Sequence, residues 1–331
     1  MRKLFWVLVG LILLFLVGPS VKYEPVKLFE TSLSLPTKNI EHYVQTQESK
    51  IVDLKPGNES QVFWYGDSLY QKTKYVLLYL HGFSASPFEG KKMSMEFGKK
   101  FNCNVYLHRL EDHGRLDSNS LINLTPDNYL QSAEDAIDIA QNMGDSIILM
   151  SCSTGSTLGL ILAAHGEKIH SHFMYSPNID IYDKKSNLLL FPWGKQMSRL
   201  VMKGEYQRLH YEEMQRKYWN ETYHMNGVFA LKYMIRKYML PKYFEKITHP
   251  VFMAYYYKDE NNQDDVVSVP RMLDMFNQLG TKPKFKKMMA FPEAQTHMVV
   301  SELFCKQWDD VQKETFLFAE NVLGLPTNPQ K

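Results

Sequence analysis

From Tyr75 to Ala290, short apolar runs rich in β-branched and aromatic residues alternate with longer segments patterned for helices. This rhythm constrains the chain more than any other feature, because parallel strands cannot be joined by tight turns and need crossover connections, usually helices. The runs Tyr75–Leu80, Asn104–His108, Ser146–Met150, His172–Ser176, Val251–Tyr257 and Phe285–Ala290 are mostly continuous rather than alternating, as in strands covered on both faces. They predict an α/β architecture: a mostly parallel central sheet with helices on both faces. Ahead of it, Tyr43–Leu54 and Gln61–Tyr65 alternate more and predict an antiparallel edge. Ser86-Pro87-Phe88-Glu89 reads as a helix start with Ser86 as cap, proline at the first helical position and Glu89 as the capping-box acid; Thr125-Pro126-Asp127 opens the next helix. Tyr129, Ala133, Ile137 and Ala140 mark the buried face of that second helix. Two further helices are predicted, from Ser268 to Gly280 and from about Ser301 to the stop at Gly324-Leu325-Pro326.

The rhythm fails between Asn178 and Pro250, a stretch rich in Met, Tyr and Trp. Val228, Leu231, Ile235 and Tyr238 recur there at helical spacing, as do Tyr211, Met214 and Tyr218, so the stretch predicts a helical insertion with an apolar face. The expected division is residues 40–177 and 250–325 as the two parts of one core, with 178–249 as a helical cap. With 44% apolar and 22% charged residues the chain can bury such a core. Its 38 Lys+Arg against 36 Asp+Glu leave a formal charge of +2, which supplies no basic field for a phosphate backbone, so nucleic acid is not an expected partner. The three cysteines, Cys103, Cys152 and Cys305, form no C-x-x-C pair, and the histidines 165, 170 and 172 span a helix end and a strand; no metal site or cofactor is expected.

Residues 1–20 stand apart. Arg2 and Lys3 precede an uninterrupted apolar run from Leu4 to Val17, 14 residues long, broken by Gly18-Pro19-Ser20. At ~1.5 Å per residue the run spans about 21 Å as a helix, short of the ~30 Å hydrocarbon layer. Two readings stay open: a cleaved signal peptide, or an uncleaved anchor extended through Val21. Either places the rest of the chain outside the cytoplasm, anchored at the outer membrane face in one case, secreted or periplasmic in the other. Asn58-Glu59-Ser60, Asn123-Leu124-Thr125 and Asn220-Glu221-Thr222 fit glycosylation sequons.

The chemistry is written around Ser151-Cys152-Ser153-Thr154-Gly155, which lies between the apolar run Ser146–Met150 and the helical stretch Leu158 to Ala164. A serine at the apex of so sharp a strand-to-helix turn needs small residues two before and two after it, and Ser151 and Gly155 meet that need. Cys152 is a rival nucleophile, but its flanks would be Met150 and Thr154, neither of them small. Upstream, His81-Gly82-Phe83-Ser84 follows the first strand of the core. The backbone N–H groups of Phe83 and Thr154 are expected to form an oxyanion hole, with His81 as a structural hydrogen-bonding residue. Downstream, His297 in the loop after Phe285–Ala290 is the expected general base. Its orienting acid should follow Val251–Tyr257. Asp264, 33 residues before His297, is preferred over Asp259, at 38, because one helix and one strand fit the shorter gap and Val266-Val267 fix its position; Glu260 and Asp265 read as solvated charges.

The order Ser153, Asp264, His297 behind a His-Gly loop resembles the α/β-hydrolase superfamily. Leu80-His81-Gly82-Phe83 together with Arg109-Leu110-Glu111-Asp112-His113-Gly114 resembles its serine esterase and monoacylglycerol-lipase branch, over about Tyr75 to Leu323. Asp112 stands where that branch often has glycine, and His113 is taken as structural. The resemblance implies the α/β-hydrolase fold, a cap at the insertion and hydrolysis through an acyl-serine. The expected substrate is a small-molecule or lipid-like ester such as an acyl glycerol; an exported peptidase or amidase, or a non-catalytic ligand-binding protein on the same fold, are the alternatives.

Overall fold

The computed structural model describes residues 2–27, 33–65, 69–116 and 119–327. Along the chain the helices are α1 (Arg2–Leu16), α2 (Ile40–Glu48), α3 (Lys91–Phe101), α4 (Pro126–Gln141), α5 (Thr154–His165), α6 (Gly194–Val201), α7 (Glu213–Tyr218), α8 (Met225–Tyr238), α9 (Pro241–Phe244), α10 (Val269–Gln278) and α11 (Trp308–Asn321). The strands are β1 (Gln61–Phe63), β2 (Thr73–Leu80), β3 (Asn104–His108), β4 (Gly144–Cys152), β5 (Ile169–Tyr175), β6 (Tyr206–Arg208), β7 (Thr222–His224), β8 (Val251–Tyr255), β9 (Tyr257–Asp259), β10 (Asn262–Gln263) and β11 (Lys286–Ala290). Seven of them form one sheet in the order β1-β3-β2-β4-β5-β8-β11. Every pairing in it is parallel except β1 with β3, which makes the antiparallel edge.

Period-2 alternation sends the strand side chains into two separate apolar layers. Leu78, Leu80, Tyr106 and Leu149 face one layer, with α4, α5 and α8; Leu77, Tyr79, Leu107 and Met150 face the other, with α3 and α11. Both faces are covered, which is why the core strands read as continuous apolar runs.

Three expectations are corrected. Residues 40–48, taken in part for a strand, form α2: Ile40 and Val44 are buried one turn apart, a helical period that a reading begun at Tyr43 misses. The last helix begins at Trp308, not Ser301. The preceding segment is a run of turns, Phe304 and Cys305 N–H donating to Ser301 O, and the turn at 301–305 is not continued because Lys306 N–H donates instead to Ala294 O in the loop carrying His297, where the Trp308 indole also donates to Val300 O. Finally, Asn58 and Asn220 are buried, their amides donating to Lys217 O and Arg115 O, and of the three sequons only Asn123 is exposed.

α1 is apolar and exposed along most of its length, and among the described residues no helix is long and apolar enough to cross a membrane. The segment after it runs over the insertion: Trp193 N–H donates to Pro19 O, Tyr23 packs edge-on against Tyr233, and Val26 N–H donates to Tyr238 Oη.

Residues 178–249 hold α6 to α9 and, beyond the helices expected, a small antiparallel hairpin of β6 and β7. Within the insertion a buried ion pair ties α8 to the segment that follows β5, Lys232 Nζ to Asp180 Oδ1 at 2.7 Å. Lys232 is 2% exposed and Asp180 18%, and Lys184 stands 3.6 Å from the other oxygen of Asp180. Lys232→Ala should therefore lower the unfolding free energy by about 2–3 kcal/mol, the low end for a broken buried pair, because Asp180 keeps water and a second cation. Urea denaturation followed by tryptophan fluorescence measures it; a midpoint equal to that of the wild type would show the pair to be energetically idle.

Candidate active site

Ser153 sits at the junction of β4 and α5 with φ 49° and ψ −115°, a left-handed conformation that costs a non-glycine residue ~1–3 kcal/mol. Packing imposes it. A β-carbon on Gly155 would stand 2.2 Å from the carbonyl oxygen of Leu80, so the first turn of α5 lies directly on the end of β2. The serine at 151, where a glycine is usual, has a physical account: its buried hydroxyl lies 2.7 Å from His172 Nε2 on β5 and 2.8 Å from Ser156 Oγ on α5. A small side chain is tolerated there because its polar atom is partnered on both sides. Cys152 is fully buried in the apolar layer with α3 and α11 and does not line the cavity, and burial, aided by the Glu89 carboxylate, pushes its thiol well above the usual range. A thiol so held is a poor nucleophile.

His297 Nδ1–H donates to Asp264 Oδ2 at 2.6 Å. Asp264 is 1% exposed, and its other oxygen accepts the N–H groups of Val266 and Val267, each at 3.0 Å. Asp259 lies elsewhere, exposed in the β9–β10 turn, accepting from Asn261 N–H and from Asn262. Burial is the largest influence on His297 and pushes its pKa down, but the carboxylates of Asp264, Glu89 and Asp265 together outweigh it and hold the imidazole above the ordinary value of 6.5.

The loop after β2 is locked from below. His81 Nδ1–H donates to Gly82 O at 2.8 Å, and His81 Nε2 accepts Leu110 N–H at 3.0 Å, which leaves this buried imidazole no free nitrogen with which to act as a base. Burial lowers its pKa far below the histidine range, keeping it neutral. Among the described residues the N–H groups of Phe83 and Thr154 have no protein acceptor, as donors awaiting an oxyanion require. A β-carbon at Gly82 would crowd the site, meeting Glu89 Oε1 at 3.1 Å and Ser153 Cβ at 3.3 Å.

Glu89 is the residue the sequence misled on. Ser86 makes no side-chain cap, and the carboxylate turns inward, Oε2 accepting Gly82 N–H and Tyr79 O–H, each at 2.8 Å. No local signal distinguishes this from a capping acid, since the Ser-Pro-x-Glu spacing is the same in both. His113, taken as structural, stacks on Tyr129 and donates Nδ1–H to Glu111 O.

Ser153, His297, Gly82, Phe83 and Glu89 border one cavity of about 750 Å³. The insertion supplies its apolar wall, with Leu188, Met197, Val201, Met225, Val228 and Leu231 among the lining side chains. Phe83 joins the two halves, its ring edge-on to Tyr223 of the insertion and to His113 of the core.

No protein-family model and no curated protein sequence matches the chain. Solved structures do. A metagenome-derived lipolytic enzyme from the work on LipS and LipT superposes with a TM-score of 0.65 at 13% identity, over 80% of this chain and 98% of the other. The chain has the α/β-hydrolase fold. The monoacylglycerol lipase of Paleococcus ferrophilus shares it with a TM-score of 0.57 at 12% identity, over 80% of this chain and all of the lipase. A soluble variant of the monoglyceride lipase of Saccharomyces cerevisiae does so with a TM-score of 0.57 at 11% identity, over 80% and 92%. At such identities the likeness is one of the α/β-hydrolase fold, and the chemistry must be argued from the site.

Proposed function

We propose that this chain is a serine hydrolase of carboxylic esters with an apolar acyl part, acting through an acyl-serine intermediate. The observation that carries the proposal is the 2.6 Å bond from His297 to the buried Asp264 in the same cavity as a serine held at positive φ. Asp264 keeps the proton of neutral His297 on Nδ1 and leaves Nε2 as the base. Ser153 Oγ attacks the ester carbonyl as its proton passes to His297 Nε2; the carbonyl oxygen takes negative charge against the N–H groups of Phe83 and Thr154. Collapse of the tetrahedral intermediate breaks the bond to the alcohol, which leaves with the proton from the imidazolium. Water then attacks the acyl-serine by the same route and releases the acid. The apolar wall of the cavity favours an acyl chain or another greasy group over a charged one, and lipase and esterase neighbours fit that substrate class.

A fluorophosphonate probe tests the reaction class. Labelling of the wild type that is lost in Ser153→Ala supports it, and folded protein that takes up no label would overturn it in favour of a ligand-binding role. Beside it, p-nitrophenyl esters of increasing chain length and aminoacyl amides separate esterase from amidase. Faster turnover of an amide than of the matched ester would refute the ester assignment.

The pH profile has a definite sign. Only neutral His297 accepts the serine proton, so kcat/KM falls as pH drops through the imidazole pKa. Because neighbouring carboxylates hold that pKa above 6.5, the midpoint of the acid limb should lie above that of free histidine. A limb centred below 6.5 would contradict the charge arrangement.

A further inference from the structure

A buried carboxylate beside a hole meant for a negative oxygen is a costly choice, and the cost calls for a role. Glu89 is 2% exposed, and one of its hydrogen bonds falls on the His81–Gly82 peptide, immediately before the peptide whose N–H faces the oxyanion. Oε2 takes Gly82 N–H, while Gly82 C=O is taken by His81 Nδ1–H and Ala85 N–H. In a trans peptide the C=O of Gly82 and the N–H of Phe83 point in opposite directions. Tying the carbonyl to His81 therefore sends Phe83 N–H the other way, and tying Gly82 N–H to Glu89 holds the preceding His81–Gly82 peptide, so that the torsions of Gly82 between the two peptides are fixed from both sides. Glu89 also borders the cavity, its Oε1 and Ser153 Cβ flanking the same face of Gly82.

We propose that Glu89 is a positioning residue of this site: it holds the His81–Gly82 peptide and, through Gly82, the orientation of the following peptide, so that the Phe83 N–H meets the developing oxyanion, and it sets a second carboxylate, besides Asp264, to stabilise the imidazolium of His297. The inference rests on the serine-hydrolase reading and deepens it. The groups facing Glu89 are Tyr79 on β2, Cys152 at the end of β4, Tyr129 on α4 and His297; those facing His297 are Asp264, Asp265 and Glu89. Burial holds the Glu89 carboxyl above the usual carboxylate range, although Gly82 N–H, Tyr79 O–H, His297 and the Cys152 thiol favour its ionised form.

Two substitutions separate clamp from charge. Glu89→Ala removes both and should lower kcat by about 10²-fold, with KM changed less than about threefold, because the lost hydrogen bond matters only when the oxyanion forms. Glu89→Gln keeps an acceptor for Gly82 N–H but not the charge. It should recover at least about tenfold of the kcat lost in the alanine variant, and its acid limb of kcat/KM should move to lower pH because one of three carboxylates holding the imidazolium is gone. A residue that merely fills space would change the melting midpoint without splitting kcat from KM and without moving the limb. Should Glu89→Ala fail to fold, the limb of Glu89→Gln alone decides. An unmoved limb, or a folded alanine variant with wild-type kcat, overturns the proposal while leaving the hydrolase reading intact; a wild type inert to esters and to fluorophosphonate overturns both.

Discussion

Ser153→Ala is expected to lower kcat on an activated ester by about 10⁶-fold and leave the melting midpoint unchanged within about 1 °C. The two halves of that expectation have separate causes. Alanine retains the β-carbon and so the packing of position 153, and the positive φ there persists. Among the described residues the serine hydroxyl makes no hydrogen bond, so no partner is stranded by its removal. What disappears is the atom that bonds to carbon. Cys152 cannot take its place, since its thiol is buried in the opposite layer and raised well above the usual range. The oxyanion donors and the cavity stay, which is why a residual rate of ~10³–10⁴ over water should persist. Turnover above about a tenth of wild type in the folded variant would remove Ser153 from the mechanism.

The parallel core was legible because each of its strands carries its own apolar signature, and β2, β3, β4 and β8 begin and end within a few residues of those runs. α2 was not, because its buried face is only Ile40 and Val44, and a strand pattern begun at Tyr43 leaves Ile40 out of account. The turns at 301–307 escaped for a different reason: what stops them becoming a helix is the bond of Lys306 N–H to Ala294 O, set by tertiary structure, which no local pattern encodes. Chemistry followed the same division. Ser153 is written locally by the small residues around it, as His297 and Asp264 are by their places after strands. Glu89 is a capping acid in sequence and a clamp in space, because the choice depends on where Gly82 lies seven residues away in the fold. Ser151 shows the converse: a departure from the usual glycine becomes intelligible once His172 and Ser156 stand beside it.

Asp264→Asn is expected to lower kcat by about 10⁴-fold at neutral pH, and Asp259→Asn to leave it within about twofold of wild type. The loss at 264 exceeds what a missing charge alone implies. Val266 N–H and Val267 N–H both point at one oxygen of the carboxylate, so an asparagine there must keep its carbonyl oxygen toward them. Its amide nitrogen then faces His297 Nδ1 as a donor, at the position where the carboxylate accepts at 2.6 Å. The imidazole can meet a donor only with a bare Nδ1, which moves its proton to Nε2 and turns the base into a donor toward Ser153. Turning the ring back restores the base but opposes two donors in a buried site, a cost of about 1–3 kcal/mol for each unsatisfied group. Asp259 closes a solvent-exposed turn through Asn261 and Asn262, and asparagine keeps an oxygen for those bonds without touching the site. Paired ester assays at neutral pH check both substitutions. An active Asp264→Asn beside an inactive Asp259→Asn would mean that the β9–β10 turn reaches the imidazole during turnover, and would transfer the orienting role to Asp259.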